Sequence, residues 1–176
     1  MVRWKSFLFI ILITVLLNVT GCDLLDEIID ETSSTDHQAV TLIPELEQTE
    51  HFRHGALEHI LEGELNYRGQ AVGFHYDRLP TKKGEIVDNT KSKLNEHGIY
   101  EAKVIVSNVE KTSNRGMSTF FPDEWDTQDV IDAINEAYET KTYISGNTFE
   151  GLTTEGIVIR MYLDDDEKII SAFPIY

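Results

Sequence analysis

The chain has a single cysteine, Cys22, directly behind an apolar N-terminal run. Whatever folds downstream therefore has no thiol for a disulfide or a cysteine-based metal site, and its core alone must hold it. Arg3 and Lys5 precede the apolar run at residues 7–17. Positive charge ahead of a short apolar stretch is the pattern of a secretory signal peptide. The run falls short of the about 20 residues that cross a bilayer comfortably.

The junction Val19-Thr20-Gly21-Cys22 resembles a bacterial lipobox, with small residues to fit the peptidase and a thiol to carry a diacylglycerol. Residues 1–21 are thus expected to be a lipoprotein signal peptide, with Cys22 as the lipidation site. The protein is then lipid-anchored at the cell membrane, on its extracytoplasmic side. Residues 23–50 hold nine acidic residues and no Lys or Arg, together with Ser33, Ser34 and Pro44. Such a stretch is solvated and self-repelling, which predicts a tether over residues 22–50. Leu24, Leu25, Ile28 and Ile29 are spaced for one short amphipathic turn beside the lipid. Residues 51–176 remain for one modest domain.

The formal charge is −16, and loss of Arg3 and Lys5 with the signal leaves 13 basic against 31 acidic residues. That balance argues against non-specific affinity for nucleic acid or anionic lipid. The charge is unevenly spread. Residues 68–115 carry nine basic and six acidic residues, whereas residues 116–176 carry three and thirteen. Only the middle of the domain is positive.

Phe52, Ala56, Leu57 and Ile60 are spaced for one apolar helix face, predicting a helix over 52–61. Residues 78–98 read as a polar loop, with Pro80, Gly84, Asp88-Asn89 and Gly98 as breakers. Alternation predicts strands over 99–106 and 118–121, with 112–116 as the turn between them. Asp126 or Thr127 caps a helix marked by Val130, Ile131, Ile134, Ala137 and Tyr138. Strands over 156–163 and 168–173 flank Asp164-Asp165-Asp166-Glu167. This acidic run reads as a hairpin turn, because it lacks the alternating ligands and glycine of an EF-hand calcium loop. The order of elements predicts an α+β domain with antiparallel sheets and packed helices.

The domain has five histidines: His51, His54, His59, His75 and His97. His51, His54 and His59 invite a metal reading, but no helical i, i+4 pair exists, and no metal site is assigned. Surface positions suit His51, His54 and His97. His59 and His75 differ, since a glycine-marked turn between them can fold the two imidazoles together. The motif His59-Ile60-Leu61-Glu62-Gly63-Glu64 followed by Gly73-Phe74-His75 resembles the twin-histidine signature of the EndoU endoribonucleases, found in animals, coronaviruses and bacterial toxins. Ser118-Thr119-Phe120-Phe121-Pro122-Asp123-Glu124-Trp125 resembles the strand-to-helix junction of the bacterial branch. Ser171-Ala172-Phe173-Pro174 resembles the family's closing Thr/Ser-x-Tyr-Pro strand. The four motifs are collinear and cover nearly the whole of residues 51–176.

The resemblance implies the barnase/EndoU/RelE-type nuclease fold and cleavage of single-stranded RNA, 3′ of pyrimidines and chiefly uridine. It implies metal-independent transphosphorylation to a 2′,3′-cyclic phosphate, with no obligatory cofactor and manganese as a stimulant in some relatives. Two groups titrating near neutrality suit such chemistry as base and acid. By resemblance His75 is the base, His59 the acid and Lys111 the cation on the phosphate, with Lys103 in the preceding strand as the competitor to Lys111. Ser171 is expected to bond a pyrimidine edge and Phe173 to stack on the base. Phenylalanine at that position, where the family usually has tyrosine, keeps the ring face and loses a hydroxyl. The Gly73 N–H is expected at the phosphate, where a missing Cβ allows close approach. A monomeric toxin with an immunity protein as partner follows from some relatives. The alternative is a catalytically degenerate EndoU-like domain kept as a surface binding lipoprotein.

Overall fold

The clearest alternation in the sequence becomes the longest strand. The computed structural model describes residues 39–176, and Cys22, the signal-peptide segment and the tether up to residue 38 lie outside the described residues. Strand β4 (Tyr100–Val106) buries Tyr100, Ala102, Val104 and Val106 and turns Lys103 outwards. It pairs antiparallel with β3 (Gly84–Ile86), β5 (Val109–Glu110) and β6 (Met117–Phe120). The expected polar loop over 78–98 thus contains a strand. Its three residues are too few for alternation to reveal.

A second sheet runs β10-β9-β8-β7, all antiparallel, from β7 (Thr142–Ser145), β8 (Thr148–Leu152), β9 (Val158–Leu163) and β10 (Ile169–Pro174). The Asp164–Lys168 turn closes the β9–β10 hairpin. There Asp164 Oδ1 accepts from the Asp166 and Lys168 N–H groups, so the carboxylate serves the turn itself. The β7–β8 hairpin was not expected. All four side chains of β7 are exposed, so it carries no burial signal.

Helix α1 (Ala56–Leu61) and helix α2 (Thr127–Glu139) pack with the second sheet. Asp126 caps α2 in a capping box with Asp129, as the sequence suggested. α2 buries Val130, Ile131, Ile134, Ala137 and Tyr138. It rides close to β8: a Cβ on Gly151 would stand 1.8 Å from the Ala137 carbonyl oxygen. The expected helix over 52–61 begins only at Ala56. Phe52 is drawn instead into a parallel bridge with Ile169, and Gly55, at φ +81°, makes the turn into α1. The observed architecture is the expected α+β class with antiparallel sheets and packed helices.

Two cores result. One holds α1, α2 and the inner faces of β9 and β10, with Tyr76 and Phe121. The other holds Phe74, Phe120 and the inward side chains of β4. A short hairpin of β1 (Glu64–Leu65) and β2 (Ala71–Val72) follows α1.

Residues 40–50 depart from the expected tether. Val40, Ile43 and Leu46 pack against the first core. The Thr41 N–H and hydroxyl donate to Asp126, and the Glu47 N–H donates to Gln128. The acidic composition hid this, because three spaced apolar residues are enough to dock a segment built around a single 3-10 turn at Ile43–Glu45. A chain beginning at His51 should therefore be about 2–4 kcal/mol less stable to urea than one beginning at Val40, from lost apolar burial and the lost Asp126 bonds. Equal unfolding midpoints and slopes would show that the segment contributes nothing.

Candidate active site

α1 and the segment after β2 lie side by side, joined by backbone bonds. Phe74 N–H donates to the His59 carbonyl (3.1 Å), and His75 N–H to the Ile60 carbonyl (2.7 Å). This brings His59 and His75 to one cleft of about 700 Å³, lined also by Gly73, Lys111, Ser118, Arg160, Tyr162, Ser171 and Phe173. All six residues assigned around the reaction from sequence meet there. Lys103 does not line the cleft. It is exposed on β4, on the strand face away from the buried residues.

His75 is only 5% exposed. Its Nδ1 lies 2.8 Å from the Thr119 carbonyl oxygen and must donate to it, which leaves Nε2 with the lone pair. Burial holds its pKa well below the ordinary 6.5, and the Lys111 and His59 charges press the same way against the pull of the Thr119 bond. The ring stacks on Phe173 at 5.0 Å between centroids.

His59 is half-buried. Its Nδ1 meets Glu64 Oε1 at 3.0 Å, and its Nε2 meets Ser171 Oγ at 3.0 Å. Burial again lowers the pKa, but the Glu64 carboxylate pulls it back up through its hydrogen bond and charge. His59 is thus the less depressed of the two imidazoles.

Lys111 follows β5. Its Nζ donates to Ser118 Oγ (2.7 Å) and to the Gly73 carbonyl (3.2 Å), and Ser118 Oγ donates to the same carbonyl (3.0 Å). Burial lowers the lysine pKa to about 8. Its partners are neutral oxygens, so its charge stays available to an anion in the cleft.

Gly73 lines the cleft and also has a packing role that its motif does not convey. A Cβ there would stand 1.9 Å from the His59 carbonyl oxygen, so the missing side chain lets the chain lie against α1. Its own carbonyl, turned inward, anchors Lys111 and Ser118. Ser171 likewise faces His59 directly. A β-bulge between Ile169 and Ser171 breaks alternation in β10, so Ile169 and Ala172 enter the core while Ile170, Ser171 and Phe173 line the cleft. Glu64, Ser118 and Thr119 carry roles here that their motifs do not announce. All three stand inside the quoted motifs, but Thr119 acts through its backbone carbonyl, which no side-chain pattern reveals.

A buried neutral imidazole, a carboxylate-supported imidazole and an uncompensated ammonium around one cleft can move two protons and hold an anion between them. The model of the bacterial EndoU nuclease family matches residues 53–176. The chain belongs to this family. A protein of Bacillus cereus named a toxin is 52% identical over 133 residues, which are 76% of this chain and 24% of the relative. The chain therefore spans about a quarter of the length of that relative. No solved structure matches the chain.

The packing of Gly73 in this EndoU domain gives a direct test against Gly69. Both have left-handed backbones, at φ +73° and +71°, but nothing lies near a Cβ on Gly69. Gly69→Ala should cost only the about 1–2 kcal/mol of the left-handed conformation. Gly73→Ala should cost a further 1–3 kcal/mol, roughly, for the clash. Equal losses in urea unfolding would remove the close approach from the account.

Proposed function

We propose that this chain is an endoribonuclease that cleaves single-stranded RNA 3′ of pyrimidines, uridine above all. It acts as a toxin outside the cytoplasm, held at the membrane by a lipid on Cys22 and countered by an immunity protein. The observation that carries the catalytic reading is the gathering of His59, His75 and Lys111 at one cleft, with His75 the more strongly depressed imidazole. The family and the named toxin relative support the nuclease and toxin parts.

In this reading the 2′-hydroxyl gives its proton to His75 Nε2, and the oxygen attacks the adjacent phosphorus. The bond from phosphorus to the 5′-oxygen breaks, and imidazolium His59 protonates the departing oxygen. The products are a 2′,3′-cyclic phosphate and a free 5′-hydroxyl, so the reaction consumes no water. Lys111 stabilises the charge that builds on the phosphoryl oxygens. The phosphodiester charge itself lifts the His59 pKa on binding, since an anion favours the imidazolium. Phe173, Tyr162 and Ser171 border the space left for the base.

Incubating the chain with a uridine-containing oligonucleotide should give 2′,3′-cyclic phosphate and 5′-hydroxyl ends, with or without EDTA. His59→Ala and His75→Ala should each slow cleavage about 100- to 10,000-fold, the usual contribution of a general acid or base. Products with 5′-phosphate ends, or full activity in either variant, would refute the mechanism.

The pH dependence follows with its sign. His75 must be neutral, so kcat/KM rises as pH passes its depressed pKa. His59 must be protonated, so kcat/KM falls again through a pKa that is itself below 6.5 in the free enzyme. A further fall is expected near pH 8, where Lys111 loses its charge. The optimum should lie on the acid side of neutrality, and Lys111→Ala should erase the last limb. A rate still climbing at pH 9 would contradict these roles.

A further inference from the structure

Beside the cleft runs a second groove of about 430 Å³, lined by Val87, Lys103, Val104, Glu110, Lys111, Thr112, Arg115 and Gly116. Lys111 borders both. The groove holds three cations against one carboxylate, in a chain of net charge −16. Among the described residues neither Lys103 nor Arg115 forms an ion pair, whereas Lys83, Lys91 and Arg160 are each paired to an acid.

The turn between the two spaces is unusual. Asn114, Arg115 and Gly116 are consecutive left-handed residues, at φ 48°, 56° and 86°. A left-handed arginine is disfavoured, and such conformations persist where the surroundings hold them, often at functional sites. The result is that Asn114 lines the cleft while Arg115 lines the groove. A Cβ on Gly116 would stand 3.1 Å from the Lys111 carbonyl oxygen and 3.8 Å from Lys103 Cγ.

We propose that Lys103 and Arg115 form a subsite for the next phosphate on the 3′ side of the scissile bond. The proposal rests on the ribonuclease reading above. The direction follows from the lining. The nucleoside that supplies the 2′-hydroxyl lies 5′ of the cut, with its base towards Ser171 and Phe173. No residue of β8, β9 or β10 lines the groove. A strand passing Lys111 into it therefore runs away from that base, carrying the leaving nucleotide and the phosphate after it. Two cations without ion pairs on separate elements suit a phosphodiester oxygen pair, and a groove without aromatic rings offers no stacking surface to select a particular base.

The test compares the dinucleotide UpA with the trinucleotide UpApA, which adds one phosphate on the 3′ side, using the full chain. Wild type should cleave UpApA with the higher kcat/KM. Lys103→Gln/Arg115→Gln should lower kcat/KM for UpApA about three- to tenfold, as for exposed charge contacts, and leave UpA unchanged. With a longer oligonucleotide made uncleavable by 2′-deoxyuridine, the slope of log affinity against log salt should shrink by about 0.7, one single-strand phosphate contact. Equal loss on both substrates, or no loss on either, would overturn the subsite. If wild type cleaves neither substrate, the ribonuclease reading fails, and an unaltered salt slope in the double variant would then overturn the subsite separately.

Discussion

The site depends on a seam where two chain segments cross between the two cores. Phe74 enters one core and Tyr76 the other, and Phe120 and Phe121 divide in the same way. His75 lies between, with its carbonyl accepting from Phe121 N–H (3.0 Å) and its Nδ1 donating to Thr119. A buried N–H must find an acceptor. Here the acceptor is backbone, so the tautomer is set by the fold and not by a neighbour that can titrate. The same burial that depresses the imidazole pKa therefore also fixes which nitrogen is free to take a proton.

Strain helps to organise the rest of the cleft. Gly73 and Phe74 are both left-handed, at φ 73° and 64°, and a bulky aromatic rarely takes that conformation. The aromatic ring's place in a core holds it there. The two turns direct the Gly73 carbonyl to Lys111 and Ser118, so a single backbone oxygen ties the lysine to the histidine segment. An ammonium bound only by neutral oxygens keeps its full charge for a ligand. Pairing it with a carboxylate would have raised its pKa and neutralised its field.

Much of this was legible in the sequence. The alternation of β4, the capped helix α2 and the β9–β10 hairpin were all visible, because each buries one face. β3 and the β7–β8 hairpin were not, the first being too short and the second having an outer strand with nothing buried. The six side chains and backbone groups assigned around the reaction came by resemblance of motifs, and they do share one cleft. Their roles in the geometry are finer than the motifs convey. Ser171 faces His59 because of a bulge, and Gly73 is glycine because α1 lies against it. Neither reason is written in residue type alone. Residues 40–50 were misjudged for the opposite reason, since their acidity outweighed three apolar contacts in any reading by composition.

The same contrast between totals and places resolves the charge. A net −16 argues against a polyanion as ligand, yet no Asp or Glu lines the cleft, where Lys111 is bound only by neutral oxygens. The acidic residues crowd α2 and the β9–β10 turn instead. Charges farther apart than about 8–10 Å in physiological salt are largely screened, so a ligand phosphate responds mainly to groups it nearly touches. The surplus of acid then works as a filter. On the proposed reading it repels an anionic backbone over much of the surface, while Lys111 in the cleft and Lys103 and Arg115 in the groove beside it attract one. An acidic protein can in this way hold a nucleic acid at one place without holding it everywhere.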